Sequence, residues 1–266
     1  MNTVISIDFD FWLEMPPDKD WGHREAIFFI ESIWPIRVVS ALSSGEDLRE
    51  TCTLAPDEPT PHDMATLLAD NKVRTQKNKI AVCESHVMAY KWFSRLKNLH
   101  VINIDAHHDL GYGISELNCG NWLMKLVEDG KVAKITQIYP KWRLRGINEW
   151  DQQNELLVKT LADAGVELEV LYGLKEHLPH KVFVKKMFIC RSGAWVPPWL
   201  DADFRKLVYS FMYHGPHDNI AYYGQSNFES MFDRQVDWDA AEEEGRKLRQ
   251  QMSKICKPRK AEIAKT

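Results

Sequence analysis

The sequence predicts a three-layer α/β/α domain with a mostly parallel sheet, and three observations carry that expectation. Short β-branched runs alternate with helical patterns along most of the chain, as in parallel sheets built through crossover helices. The 266 residues are 44% hydrophobic and 27% charged, enough apolar side chain for one sizeable core. No internal repeat or low-complexity stretch interrupts the alternation. Residues 1–238 are read as one domain, and 239–266 as a C-terminal helix with a basic tail.

Taken in order, strands are expected at 4–11, 79–83, 100–105, 134–139, 166–171 and 182–190. Thr60-Pro61-His62-Asp63 offers an N-cap, a proline in the first turn and an acid at the capping-box position, which predicts a helix to about residue 71. Ser85, Asn121 and Asn148 cap three further helices, ending near Lys97, near Gly130 and before Gly165. Over 239–255 acids come first and bases last, matching a helix dipole, and the KPRK that follows reads as a solvated tail.

Composition narrows the function. The net charge of −4 gives no general attraction to nucleic acid or an anionic membrane, so neither partner is expected. There is no run of 18 apolar residues, and acids stand where a secretory signal needs bases, so a cytoplasmic location is expected. The five cysteines are scattered without a CxxC pair, which indicates neither a disulfide framework nor a thiolate zinc site. Cys83 and Cys119 lie near the motifs but lack the partners of a catalytic nucleophile.

The chemistry concentrates at strand ends. A buried-looking strand from His100 ends in Asp105-Ala-His107-His108-Asp109, which hydrophobic patterning does not call for. At the C-terminal edge of a parallel sheet, Asp105, His107 and Asp109 can turn toward one point. Ser6-Ile-Asp8-Phe-Asp10-Phe-Trp12 places two acids on one face of an otherwise apolar strand, where they repel unless a cation or water neutralises them. His86 follows the strand at 79–83. Four carboxylates and two imidazoles suit two divalent cations, and oxygen-rich ligation favours manganese.

ESH, DAHHD and DFD together resemble the motifs of the arginase and deacetylase-like metallohydrolases. The resemblance extends to the atypical peptide arginases of ribosomal-peptide biosynthesis of the proteusin type, through IDFDFW, Cys119-Gly-Asn-Trp122 and Phe188-Ile-Cys-Arg-Ser192. It implies two Mn2+ per chain, held by Asp8, Asp10, His86, Asp105, His107 and Asp109. Asp105 and Asp8 would bridge, His86 and Asp109 would serve one ion, and His107 the other. It also implies hydrolysis of arginine side chains in a precursor peptide to ornithine and urea.

Asp109 would then orient the attacking hydroxide, and His108, His214 or His217 would protonate the departing amine. Glu14, Glu31, Glu84 and Asp218 are candidate acids for the guanidinium. Asn121 of the Gly-Asn pair joins the substrate-binding set, and Trp12, Trp122, Trp195 and Trp199 are candidate walls of a peptide groove. Two departures stand out. DFD comes first in the chain, so the motif order is permuted, and Leu123 replaces a histidine of ordinary arginases. The alternatives are a deacetylase-like enzyme with one zinc, an amidinohydrolase of agmatine, free arginine or a polyamine derivative, or a non-catalytic peptide-binding protein with a structural metal.

Overall fold

The computed structural model describes residues 1–14, 27–76, 79–111, 115–214, 221–223 and 235–255. The strands are β1 (Asn2–Asp8), β2 (Leu13–Glu14), β3 (Thr53–Leu54), β4 (Arg74–Thr75), β5 (Ile80–Cys83), β6 (Leu99–Ile104), β7 (Val132–Tyr139), β8 (Glu167–Tyr172), β9 (Phe183–Cys190) and β10 (Ala221–Tyr223). The helices are α1 (Ile27–Ser44), α2 (Leu48–Thr51), α3 (Met64–Asp70), α4 (Val87–Phe93), α5 (Trp122–Glu128), α6 (Trp150–Asp163), α7 (Leu174–His177), α8 (Asp201–His214) and α9 (Trp238–Ile255).

Eight strands form one sheet in the order β10-β5-β9-β1-β6-β7-β8, with β4 also on β9; β2 and β3 make a separate antiparallel pair. Every pairing in the large sheet is parallel among the described residues. All six expected strands are present, within one to three residues of the expected ends.

Alternation along β1 sorts the layers. Ile5 and Ile7 face a core built with Trp34 and Val38 of α1, Leu68 of α3 and Phe204 and Val208 of α8. Val4 faces the opposite core, with Phe93 of α4, Leu126 of α5 and Leu161 of α6. Ser6 and Asp8 share the side of Val4, and so emerge toward α4 and α5.

Three differences from the sequence expectation have physical reasons. The strand at 4–11 stops at Asp8, because the Asp8 carboxylate captures the Asp10 N–H at 3.2 Å and turns Phe9–Trp12 into a 3-10 helix. The helices α1 and α8 are not expected from the sequence, and α1 has Pro35 inside it. The terminal helix α9 lies along α1: a Cβ at Gly245 would come 2.8 Å from Leu42 Cβ, so the helices meet closely at this glycine.

The register decides where the site forms. Cys83 pairs with Cys190, Cys190 with Asp8, and Ile7 with Ile104. The segments 84–86, 191–195, 9–12 and 105–109 therefore leave four adjacent strands at one level, around the central strand β1 from which the chain builds outward on both sides. A motif that comes first in the chain thus sits in the middle of the sheet.

Candidate metal centre

Asp8, His86, Asp105 and Asp109 converge where β1, β5 and β6 end. His86 Nδ1 lies 2.9 Å from Asp8 Oδ2, 3.2 Å from Asp105 Oδ2 and 2.9 Å from Asp109 Oδ2. Beside them, His107 Nδ1 lies 2.9 Å from Asp10 Oδ2 and 3.7 Å from Asp105 Oδ1. The two oxygens of Asp105 thus face the two imidazoles, one each. Among the described residues three groups have ligand atoms within 4.8 Å of one another: Asp10–Asp105–His107, His86–Asp105–Asp109 and Asp8–His86–Cys190.

Local structure aims these side chains. Asp109 has φ +54° and Ser192 φ +51°, left-handed conformations that cost an ordinary residue about 1 kcal/mol. The Asp109 carbonyl accepts the N–H groups of Leu123 and Met124 at the start of α5, which holds that turn. The loop after β9 is secured from α1: Trp34 Nε1 donates to the Gly193 carbonyl at 2.9 Å, and the buried Arg37 donates to the Ala194 carbonyl. The ring of His86 lies between Trp122 at 5.0 Å and Phe188 at 5.9 Å. His107 is the open member: its side chain is 22% exposed, against 5% or less for His86 and the four aspartates, and its ring meets Trp195 at 4.8 Å.

The electrostatics fit cations. Burial, then repulsion from Asp10 and Asp105, pushes Asp8 up to about 7. Burial, then Asp105, pushes Asp109 up to about 7 and Asp10 up to about 6. Burial alone would lower His86 and His107, but the facing carboxylates outweigh it and hold both well above the ordinary histidine value. Burial would raise Asp105, but its hydrogen bonds with His107 and His86 hold it well below the carboxylate range. Two imidazoles, those of His86 and His107, face these four acids at 2.9–3.7 Å. Two divalent cations would balance the four carboxylates and free both imidazoles to ligate.

These pKa shifts fix a pH dependence for the metal-free protein. Asp8, Asp10 and Asp109 hold protons that the unfolded chain has released above its carboxylate value near 3.8, so their stabilisation fades as pH rises from about 4 to about 7. His86 and His107 act in the same direction: their contribution is complete below about 6.5 and is lost as pH rises through their raised values. Cations replace those protons, so the rise in melting temperature on adding Mn2+ should grow from pH 5 to pH 8, with proton release visible by calorimetry in buffers of different ionisation enthalpy. A metal-induced rise that is flat across this range would contradict the site.

The other candidate residues fall outside the cluster. His108 is buried, its Nδ1 accepts the Leu110 N–H at 2.9 Å, and burial together with the charge of His107 pulls it down to about 3. It is therefore neutral at pH 7 and braces the loop. Glu84 Oε1 meets Arg191 Nη1 at 2.8 Å, so a guanidinium of the chain itself already occupies that acid. Glu14 pairs with Arg145 at 2.9 Å. Asn121 accepts the Asn118 N–H and donates to the Glu116 carbonyl, both at 2.7 Å, within its own loop.

Trp12 is a core residue: it is 1% exposed, packs on Phe9 and Phe11, and donates to the Pro59 carbonyl at 2.7 Å. Trp122 is fully buried beneath His86, and Trp199 packs between Trp34 and Trp238. Of the expected groove walls, Trp195 is the one that packs on the partly exposed His107. His217 and Asp218 lie outside the described residues, as do the side chains of Glu31 and His214.

Cys190 and Ser192 were not among the candidates. Cys190 closes a third group with Asp8 and His86, and Ser192 Oγ donates to Asp8 Oδ2 at 2.5 Å. The β9 register, unreadable without the fold, brings them there; the only local signal was a strand ending in Cys-Arg-Ser.

No family model, no curated protein and no solved structure matches the chain. Fold and site together define an α/β protein with a mostly parallel sheet and buried groups of aspartate, histidine and cysteine that could hold metal ions. Among the described residues no helix is long and apolar enough to cross a membrane.

Proposed function

We propose that this chain is a metallohydrolase of carbon–nitrogen bonds, and specifically a manganese-dependent peptide arginase that converts arginine side chains to ornithine with release of urea. The observation that carries this reading is the shared Asp105, whose two oxygens face two imidazole-bearing groups, one buried and one open. His86, Asp8, Asp105 and Asp109 would hold one ion, and Asp10, Asp105 and His107 the other. Bound divalent cations would supply Lewis acidity, lowering the pKa of water so that a hydroxide nucleophile is available near neutral pH.

The chain's own residues set the direction of approach. Phe188, Trp122 and Phe93 seal the His86 side against water. A side chain therefore reaches the centre past His107 and Trp195, whose indole offers a face to a flat cation. Asp109 holds one carboxylate oxygen toward the buried group, where it can accept a hydrogen bond from the nucleophile. With His108 neutral, the sequence candidates left as donors of the proton to the departing amine are His214 and His217, whose side chains lie outside the described residues.

Metal content by elemental mass spectrometry after reconstitution with Mn2+, followed by mass spectrometry of arginine-containing peptides, tests the reading. Two ions per chain and conversion of arginine to ornithine with urea released are expected. Two ions without conversion of peptides, agmatine or free arginine would overturn the arginase assignment. A second reading is favoured by one observation: Cys190 adds sulfur to the Asp8–His86 group, a donor set that suits zinc and a deacetylase-like enzyme. One zinc per chain retained in preference to manganese would favour it.

A further inference from the structure

Three residues outside the ligand set touch it through short, fully buried hydrogen bonds. Trp122 Nε1 donates to Asp109 Oδ2 at 2.5 Å. Ser192 Oγ donates to Asp8 Oδ2 at 2.5 Å. Ser6 Oγ lies 2.6 Å from His86 Nε2. We propose that Trp122, Ser192 and Ser6 are positioning residues that pre-arrange the His86 half of the centre for its cation, a set of side-chain contacts that the side chains of Asp10 and His107 lack among the described residues. This inference rests on the metal-centre reading above.

The geometry of each contact supports it. Asp109 Oδ2 and Asp8 Oδ2, the oxygens that Trp122 and Ser192 hold, are the same ones that lie 2.9 Å from His86 Nδ1. Fixing one lone-pair direction of each oxygen fixes where the other points, which is how a hydrogen bond behind a ligand orients it. Protonated or metal-ligating, His86 carries a hydrogen on Nε2 when Nδ1 faces the carboxylates. Ser6 accepts that hydrogen and so selects Nδ1 as the ligating atom.

Sequence explains how the three arrive. Ser6 stands two residues before Asp8 on the same face of β1. Trp122 opens α5, whose first turn already holds the Asp109 carbonyl. Ser192 is brought over Asp8 by its left-handed backbone two residues past Cys190, the register partner of Asp8. Among the described residues the side chains of Asp10 and His107 receive no side-chain hydrogen bond from outside the ligand set: Asp10 Oδ1 accepts the long 3.4 Å bond from the Ala106 N–H, and this half is held instead by the backbone, through the 2.6 Å bond from the His107 N–H to Asp105 Oδ1. The two halves of the centre are therefore unequal: three side chains from outside the ligand set hold the first, and the second contains the one partly exposed member, His107.

The test uses the full chain and Mn2+ alone. Binding to wild type, Trp122→Phe and Ser6→Ala is titrated by the electron paramagnetic resonance signal of free Mn2+, and thermal melts of the metal-free proteins are recorded alongside. Removing an orienting contact should weaken one of the two Mn2+ dissociation constants by about 10- to 100-fold and leave the other within about twofold. A purely structural role would lower the metal-free melting temperature and shift both constants together, which would overturn the proposal. So would unchanged constants in both variants. Ser6→Ala removes one oxygen only, so the answer stands even if Trp122→Phe folds poorly. If wild type binds no Mn2+, the metal-centre reading falls and this inference with it; two ions in wild type with unaltered variants would overturn this inference alone.

Discussion

Asp105→Asn is expected to lower turnover by roughly 10³-fold or more, equivalent to about 4 kcal/mol of lost transition-state stabilisation, while the protein stays folded. Among the described residues Asp105 is the one acid common to both imidazole groups, with Oδ2 toward His86 and Oδ1 toward His107. Asparagine keeps the shape but has a single acceptor oxygen. If that oxygen stays on Oδ1, it keeps the 2.6 Å bond from the His107 N–H, and an amide NH2 then points at His86 Nδ1. If the amide turns over, the NH2 meets the His107 N–H. Either way one group loses a ligand atom, and the centre loses a negative charge that offsets a cation. Elemental analysis of the reconstituted variant should find at most one ion per chain against two in wild type, with an unchanged far-ultraviolet circular dichroism spectrum. Two retained ions with full activity would sink the shared-carboxylate mechanism.

Much of this site was legible before the fold, because metal chemistry puts acids where hydrophobic patterning forbids them. Asp105, His107 and Asp109 interrupt an apolar strand, and DFD does the same, so those residues declare themselves. Strand ends were legible for the same reason, since β-branched runs alternate with capped helices. What stayed hidden depends on contacts between distant segments. Trp122 and Trp12 looked like groove walls because an indole's burial cannot be read from its neighbours in sequence; the structure seals both in the interior. Glu84 looked available for a substrate cation because Arg191 is 107 residues away in sequence. Cys190 and Ser192 entered the site only through the pairing of Asp8 with Cys190 across β1 and β9. The helix α1 sets the loop that carries Ser192 and Trp195 through Trp34 and Arg37, which no pattern near those residues announces.

Arg191→Met should cost about 3–5 kcal/mol of stability, the range for breaking a buried ion pair from one side, and lower the melting temperature by roughly 10 °C. Its guanidinium is 1% exposed and joins two acids from different elements: Nη1 donates to Glu84 Oε1 at 2.8 Å, and Nε and Nη2 to Asp201 Oδ1 at 2.9 and 2.5 Å. Burial would lower the arginine, but Glu84 and Asp201 outweigh it and hold it above its ordinary value. Methionine fills the space and strands two carboxylates in the interior. They would recover by taking up protons, so the variant's deficit should shrink as pH falls from 7 toward 5, because its folded state then binds protons that the unfolded chain does not. Gly193 belongs to the same unit, since a Cβ there would lie 1.7 Å from Glu84 Oε1, and Gly193→Ala must push Glu84 off the arginine. The triple variant Arg191→Met, Glu84→Gln, Asp201→Asn removes all three charges and should regain much of the lost stability. The clamp also links the segment that ends in His86 to the one that carries Ser192, so Arg191→Met should weaken Mn2+ binding beyond its effect on folding. Thermal melts over pH 5–8 with and without Mn2+ separate the two effects. A loss below about 1 kcal/mol would mean that water reaches the clamp and that it does not hold these loops together.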